Sequence, residues 1–162
     1  MENRIKSHAK KFRLALEKAK STDEFRKDIL FRNFPTGCCG DTCYLLGQYL
    51  LHKGIRTKYV CGTYYGDGSE NIQSHAWLMT DNRVIIDITG DQFKYHTHLL
   101  CNNRPVYVGE MDDFYSLFEV EERDIRDTCN ISQLGGFSIP RLRRLYNICN
   151  SRTMYNVRWC NN

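Results

Sequence analysis

Two apolar stretches, IQSHAWLMT and RVIIDIT, follow one another with only Thr80, Asp81 and Asn82 to join them. Their content and alternation read as two strands of a β-hairpin. Successive strand side chains point to opposite faces, so Ala76, Leu78, Val84, Ile86 and Ile88 share one face and Trp77, Met79 and Ile85 the other. A ribbon that is apolar on both faces must be covered on both, which makes this hairpin interior to the fold. Inside it lie His75, its only polar ring, and Asp87, the only acid of its second strand. A buried carboxylate is costly unless it is paired, and the histidine is the partner at hand.

Whether the two meet depends on the turn. A three-residue turn, Thr80-Asp81-Asn82 with Asn82 left-handed, pairs Met79 with Arg83 and sets His75 opposite Asp87 on one face. A two-residue turn at Asp81-Asn82 pairs His75 with Ile88 and sends Asp87 to the other side.

Helical periodicity runs from Arg4 to about Phe31, broken near Ser21, where Ser21 and Glu24 form a capping-box signature. A strong helix follows from about Cys39 to Lys53, closed by Gly54. Arg56–Tyr65 reads as a strand, GDGSEN as a turn and RPVYVGE as a further short strand. The last fifty residues read as mostly helical, with a break marked by Gly135, Gly136 and Pro140. Helices, then an antiparallel sheet, then helices is an α+β order. With no repeat or linker, the 162 residues are expected to form one domain, its core at about 34–110 between helical flanks 1–33 and 111–162.

No run of eighteen apolar residues is present, so no membrane span is expected. The opening MENRIKSHAKKFRLALEKAK has no apolar region of the kind that directs export, which favours a cytoplasmic setting where the eight cysteines stay reduced. The net charge of +4 is mild. Two basic clusters, HAKKFR and RLRRLY, read as solvated helix faces, since neither carries a nucleic-acid motif.

Cys38, Cys39 and Cys43 crowd into six residues. By helical spacing Cys39, Cys43, Leu46 and Leu50 share a buried face, which puts Cys39 in the first turn at its tip. The free N–H groups and positive dipole end there stabilise a thiolate. Cys43, one turn further in, reads as packing, and Cys38 as a loop residue. A thiolate nucleophile needs a base, and the base an orienting group; His75 and Asp87 supply both. The alternative is a non-catalytic interaction module with a zinc site drawn from Cys38, Cys39, Cys43 and either His75 or Cys61. Adjacent Cys38-Cys39 plus one Cys a turn away makes no second zinc knuckle. Cys101, Cys129, Cys149 and Cys160 show no ligand spacing, and His96 and His98 read as exposed loop; no cofactor or metal is expected.

From Phe34 to Phe93 the chain resembles the transglutaminase-like superfamily of cysteine enzymes, small bacterial members among them. Cys39 is followed by Asp41, a Leu-rich helix and Gly54-Ile55, fifteen residues on (54 − 39 = 15). His-Ala-Trp at 75–77 and Asp-Ile-Thr at 87–89 resemble that family's His-Ala-Trp and Asp-Pro-Thr signatures. The resemblance implies a papain-like core, a Cys39–His75–Asp87 triad and acyl transfer on amide bonds. Its substrate is then a protein or peptide, through a glutamine side chain or a peptide amide, and the outcome deamidation, transamidation or hydrolysis. The accessory β domains and calcium regulation of the large members are not implied. For a second oxyanion donor, beside the Cys39 N–H, the candidates are Gln92, in GDQF, and Gln48. Trp77 is a candidate wall of the site.

Overall fold

The computed structural model describes residues 1–66, 72–96 and 100–154. Four helices, α1 (Glu2–Ala19), α2 (Asp23–Lys27), α3 (Cys39–Leu51) and α4 (Ser138–Met154), accompany five strands: β1 (Lys58–Tyr64), β2 (Gln73–Met79), β3 (Ile85–Asp87), β4 (Tyr107–Gly109) and β5 (Ile125–Arg126). The strands form one antiparallel sheet in the order β4-β3-β2-β1-β5, so the hairpin β2–β3 is internal and β2 is central. The chain is α+β. GDGSEN and His98 fall wholly or largely outside the described residues, as does Cys160.

Alternation along β2 and β3 divides the core in two. On one face Ala76, Leu78, Ile86 and Ile88 pack with α1, α3 and α4 through Phe12, Leu16, Leu46, Leu50 and Leu145. On the other, Trp77 and Ile85 join Val60, Phe93, Phe114, Tyr115 and Phe118. The hairpin is covered on both sides, as its two apolar faces require.

The hairpin turn has three residues, but they are Asp81, Asn82 and Arg83. Thr80 extends the ladder one step, its N–H donating to Val84 O at 3.0 Å and its hydroxyl accepting from Val84 N–H at 3.2 Å. The left-handed seat therefore falls on Arg83 (φ 61°) and not on Asn82. Leu78 pairs with Ile86 and Met79 with Ile85, two residues away from the expected Met79–Arg83 register. A shift of two preserves facing, so Asp87 stays on the face of His75.

Helix α3 ends as its sequence dictates. Gly54 is left-handed (φ 73°), its N–H donates to Leu51 O, and Ile55 N–H donates to Leu50 O, which is a Schellman close. The start of α2 differs from expectation. Its N-cap is Thr22, and Ser21 turns its hydroxyl back to Lys18 O. The helix stops at Lys27 because Asp28 is extended and spends its carboxylate on the N–H groups of Leu30 and Phe31.

The C-terminal third is less helical than its pattern suggests. Short 3-10 turns at Tyr115–Leu117, Glu122–Asp124 and Ile131–Gln133 surround the edge strand β5, and among the described residues of this third only α4 is a long helix. Pro140 sits within the first turn of α4, where the missing N–H has no helical partner to lose. The basic clusters are also only partly solvated. Arg13 is buried, and Arg141 bridges Asp28 and Asp41 at 2.6–2.7 Å. No helix among the described residues is long and apolar enough to cross a membrane.

Candidate active site

Cys39 is the first residue of α3, with Cys38 as N-cap and no side-chain cap on the first turn. That leaves the N–H groups of the turn, and the positive end of the helix dipole, directed at the Cys39 region. Asp41, whose charge in the same turn opposes a thiolate, is tied to Arg141 Nη1 at 2.6 Å. Cys38 precedes the helix as its N-cap and stays chemically inert. It is buried, with its thiol on Pro35 O at 3.3 Å, and burial pushes its pKa up to about 12. Burial likewise drives Cys43 well above the ordinary thiol value. Cys39 goes the other way. Burial raises it, but a hydrogen bond and charge attraction to His75, with the Ala76 backbone and Gln92 assisting, bring its pKa below the ordinary value.

His75 and Asp87 are both fully buried, and the ring's Nε2 lies 2.8 Å from Asp87 Oδ2. Burial pulls the imidazole down, yet the charge of Asp87 and its hydrogen bond, with Cys39 adding to them, raise His75 to about 9. Burial also opposes ionisation of Asp87; His75, the Thr89 N–H and the Tyr115 hydroxyl overcome it and lower its pKa. With Nε2 held by Asp87, Nδ1 is the nitrogen left for chemistry. In the neutral ring Nδ1 accepts from the Gln92 Nε2 amide at 2.8 Å, while Gln92 Oε1 accepts the Gly37 N–H at 3.4 Å.

The ring is set in aromatic side chains. Phe93 stands edge-on at 5.1 Å, and Trp77, Phe118 and Phe114 lie at 5.8, 5.8 and 6.1 Å between centroids. Gly62, opposite His75 on β1, makes room for this packing. A Cβ there would lie 2.7 Å from Phe118 Cβ and 3.0 Å from Trp77. Behind the site, α1 fixes the segment that follows β3. Arg13 Nη1 donates to Ile88 O at 2.6 Å and to Asp91 Oδ1 at 2.7 Å, and Nη2 to Asp91 Oδ2 at 2.8 Å. That holds the 3-10 turn Gly90–Phe93 and, with it, Gln92.

Cys39, His75, Asp87 and Gln92 thus converge. Trp77 is buried in the aromatic cluster and backs the imidazole, its ring centroid 5.8 Å from that of His75. Gln48 is remote in its bonding, its amide 3.0 Å from His52 Nε2. Among the described residues no group of three or more His, Cys, Asp or Glu side chains is arranged to hold a metal, so Cys38, Cys39, Cys43, Cys61 and His75 do not form the zinc cluster considered from their spacing. Two members of the site had no sequence signal. Tyr115 donates to Asp87 Oδ2 at 2.9 Å from 28 residues away, and Arg13 reaches in from α1. Thr89 was legible only as part of Asp-Ile-Thr; its N–H and hydroxyl both donate to Asp87 Oδ1, at 2.8 and 3.1 Å.

Compared with known proteins, the chain matches no family model, no curated protein and no solved structure. The reading of function rests on the geometry above.

Proposed function

We propose that this chain is a cysteine enzyme with a papain-like core of the transglutaminase-like kind, transferring an acyl group from an amide. One observation carries the reading. Cys39, the first residue of a helix, sits against His75 on the central strand, and Asp87 grips the far nitrogen of the ring at 2.8 Å. That arrangement suits a thiolate–imidazolium pair.

The Cys39 sulfur attacks the amide carbonyl carbon, and the carbonyl π electrons move to oxygen. The Cys39 backbone N–H and the Gln92 side-chain amide, which releases Nδ1 once that nitrogen carries the proton, are the donors offered to that oxyanion. As the tetrahedral adduct collapses, the C–N bond breaks and the proton on His75 Nδ1 passes to the leaving nitrogen, leaving a thioester on Cys39. His75 then takes a proton from water or an amine as it attacks the thioester, and the sulfur leaves as thiolate. Asp87 holds the tautomer throughout and stays ionised.

The test is mass spectrometry of peptide libraries and lysates exposed to wild type and to Cys39→Ala. A Cys39-dependent mass gain of about one dalton on glutamine identifies deamidation, cross-links identify transamidation, and new termini identify proteolysis. Identical alkylation rates at pH 6 in wild type and Cys39→Ala would sink the activated thiolate itself.

A further inference from the structure

Asp87 has both carboxylate oxygens committed, each to two hydrogen bonds but to different donors. Oδ1 serves Thr89 alone, whereas Oδ2 accepts from His75 Nε2 at 2.8 Å and from the Tyr115 hydroxyl at 2.9 Å. Tyr115 is fully buried, and three rings pin it: Phe114 at 5.0 Å, Tyr107 at 5.1 Å and Trp77 at 5.3 Å. Its own N–H donates to Asp112 Oδ1 at 3.3 Å, so backbone and side chain are fixed together. Burial and the neighbouring Asp87 charge drive the phenol pKa far above its ordinary value, so the hydroxyl stays protonated and can only donate to the carboxylate.

We infer that Tyr115 is a positioning residue that moderates the Asp87–His75 couple by sharing the carboxylate oxygen that holds the imidazole. This rests on the Cys39–His75–Asp87 reading. An oxygen that accepts two hydrogen bonds offers less charge to each donor than one that accepts a single bond. Without the phenol, Oδ2 belongs to the imidazole alone, the imidazolium is held more tightly, and the ring gives up its Nδ1 proton less readily. A general acid works best when its pKa lies near the working pH, so a carboxylate left unshared makes His75 too weak an acid for the leaving nitrogen. Tyr115 keeps it within reach. The ionisable groups facing the couple are Cys39 and Cys43 from α3 and Tyr115 itself. Beyond Tyr115, Arg104 and Asp112 form an ion pair.

Tyr115→Phe keeps the ring packing and deletes only the donor. The measurement is the His75 titration by NMR of ring-labelled protein, together with the Cys39 thiolate titration by ultraviolet absorbance. The His75 midpoint is expected to rise by at least about half a pH unit, a threefold gain in proton affinity, while the thiolate midpoint moves down and turnover on the substrate falls. Replacing Tyr115 by 3-fluorotyrosine, a stronger donor of the same shape, is expected to move His75 the opposite way. A purely structural tyrosine would lower stability and leave both midpoints in place. Unmoved midpoints, or a His75 midpoint that falls in Tyr115→Phe, overturn the inference. Failure of the catalytic reading looks different: His75 would titrate identically in wild type and Cys39→Ala.

Discussion

Asp87→Asn is the substitution that bears most directly on the site. It keeps the shape of the side chain and removes the charge that holds His75 up. In the folded protein burial alone would place the imidazole below its ordinary value of 6.5, and Asp87 is the largest influence that carries it to about 9. Losing the carboxylate leaves burial opposed by Cys39 alone, and a ring returned to its ordinary value would have fallen by about 2.5 (9 − 6.5), or ~3 kcal/mol of preference for the imidazolium. The sign follows from linkage. A histidine raised on folding contributes stability in full below pH 6.5, and that contribution fades as pH climbs toward 9. In wild type Cys39, lowered on folding, works in the opposite sense over the same range, so the histidine contribution is read in a Cys39→Ala background, where stability is expected to fall as pH climbs above 6.5 and the fall to vanish when Asp87→Asn is added. The thiol follows the ring. Without an imidazolium beside it, burial dominates Cys39 and its pKa rises. Alkylation of Cys39 by iodoacetamide at pH 6–7 is then expected to slow, with the profile displaced to alkaline pH. Urea titrations at pH 6 and pH 9 check the stability arm. Superimposable alkylation profiles in a folded Asp87→Asn protein would refute the reasoning, because they would mean that the carboxylate does not govern the thiol.

Two further outcomes test the scaffold. Arg13→Met strands the Asp91 carboxylate in a mostly buried position, with a cost of about 3 kcal/mol in urea unfolding; combined with Asp91→Asn the loss should be well short of additive, and full additivity would deny the pair. Gly47→Ala improves helix propensity, yet its Cβ would lie 2.2 Å from the Cys129 carbonyl oxygen. A net loss of about 2 kcal/mol is expected, and a rise in melting temperature would show that α3 and the Cys129 loop do not pack this closely.

Where sequence and structure agree or part follows from the range of the interactions. Local rules set the helix from Cys39, because periodicity, the chain start at Gly37–Cys38 and the Gly54 close all act within a few residues. The two-faced apolar pattern of the hairpin placed it inside, and parity kept His75 and Asp87 on one face even though the register moved by two. The expected capping box is not formed: Thr22 takes the N-cap position without a side-chain cap, and the hydroxyls of Ser21 and Thr22 both turn back to carbonyls at the end of α1. β5 was illegible because two residues carry no alternation; Ile125 and Arg126 are strand only because Val60 and Tyr59 offer an open edge.

Sequence alone fixed the helix start, the buried ribbon and the three residue types that could do cysteine chemistry, since each depends on neighbours along the chain. Tertiary structure decided which groups complete the site. Tyr115 on Asp87 and Arg13 under the turn are brought in across 28 and 78 residues of chain, and between the two candidate glutamines the packing selected Gln92, 17 residues from His75. Hydrogen bonds of that span leave no periodic trace, because only the packing of the two cores on either side of the sheet brings their partners together.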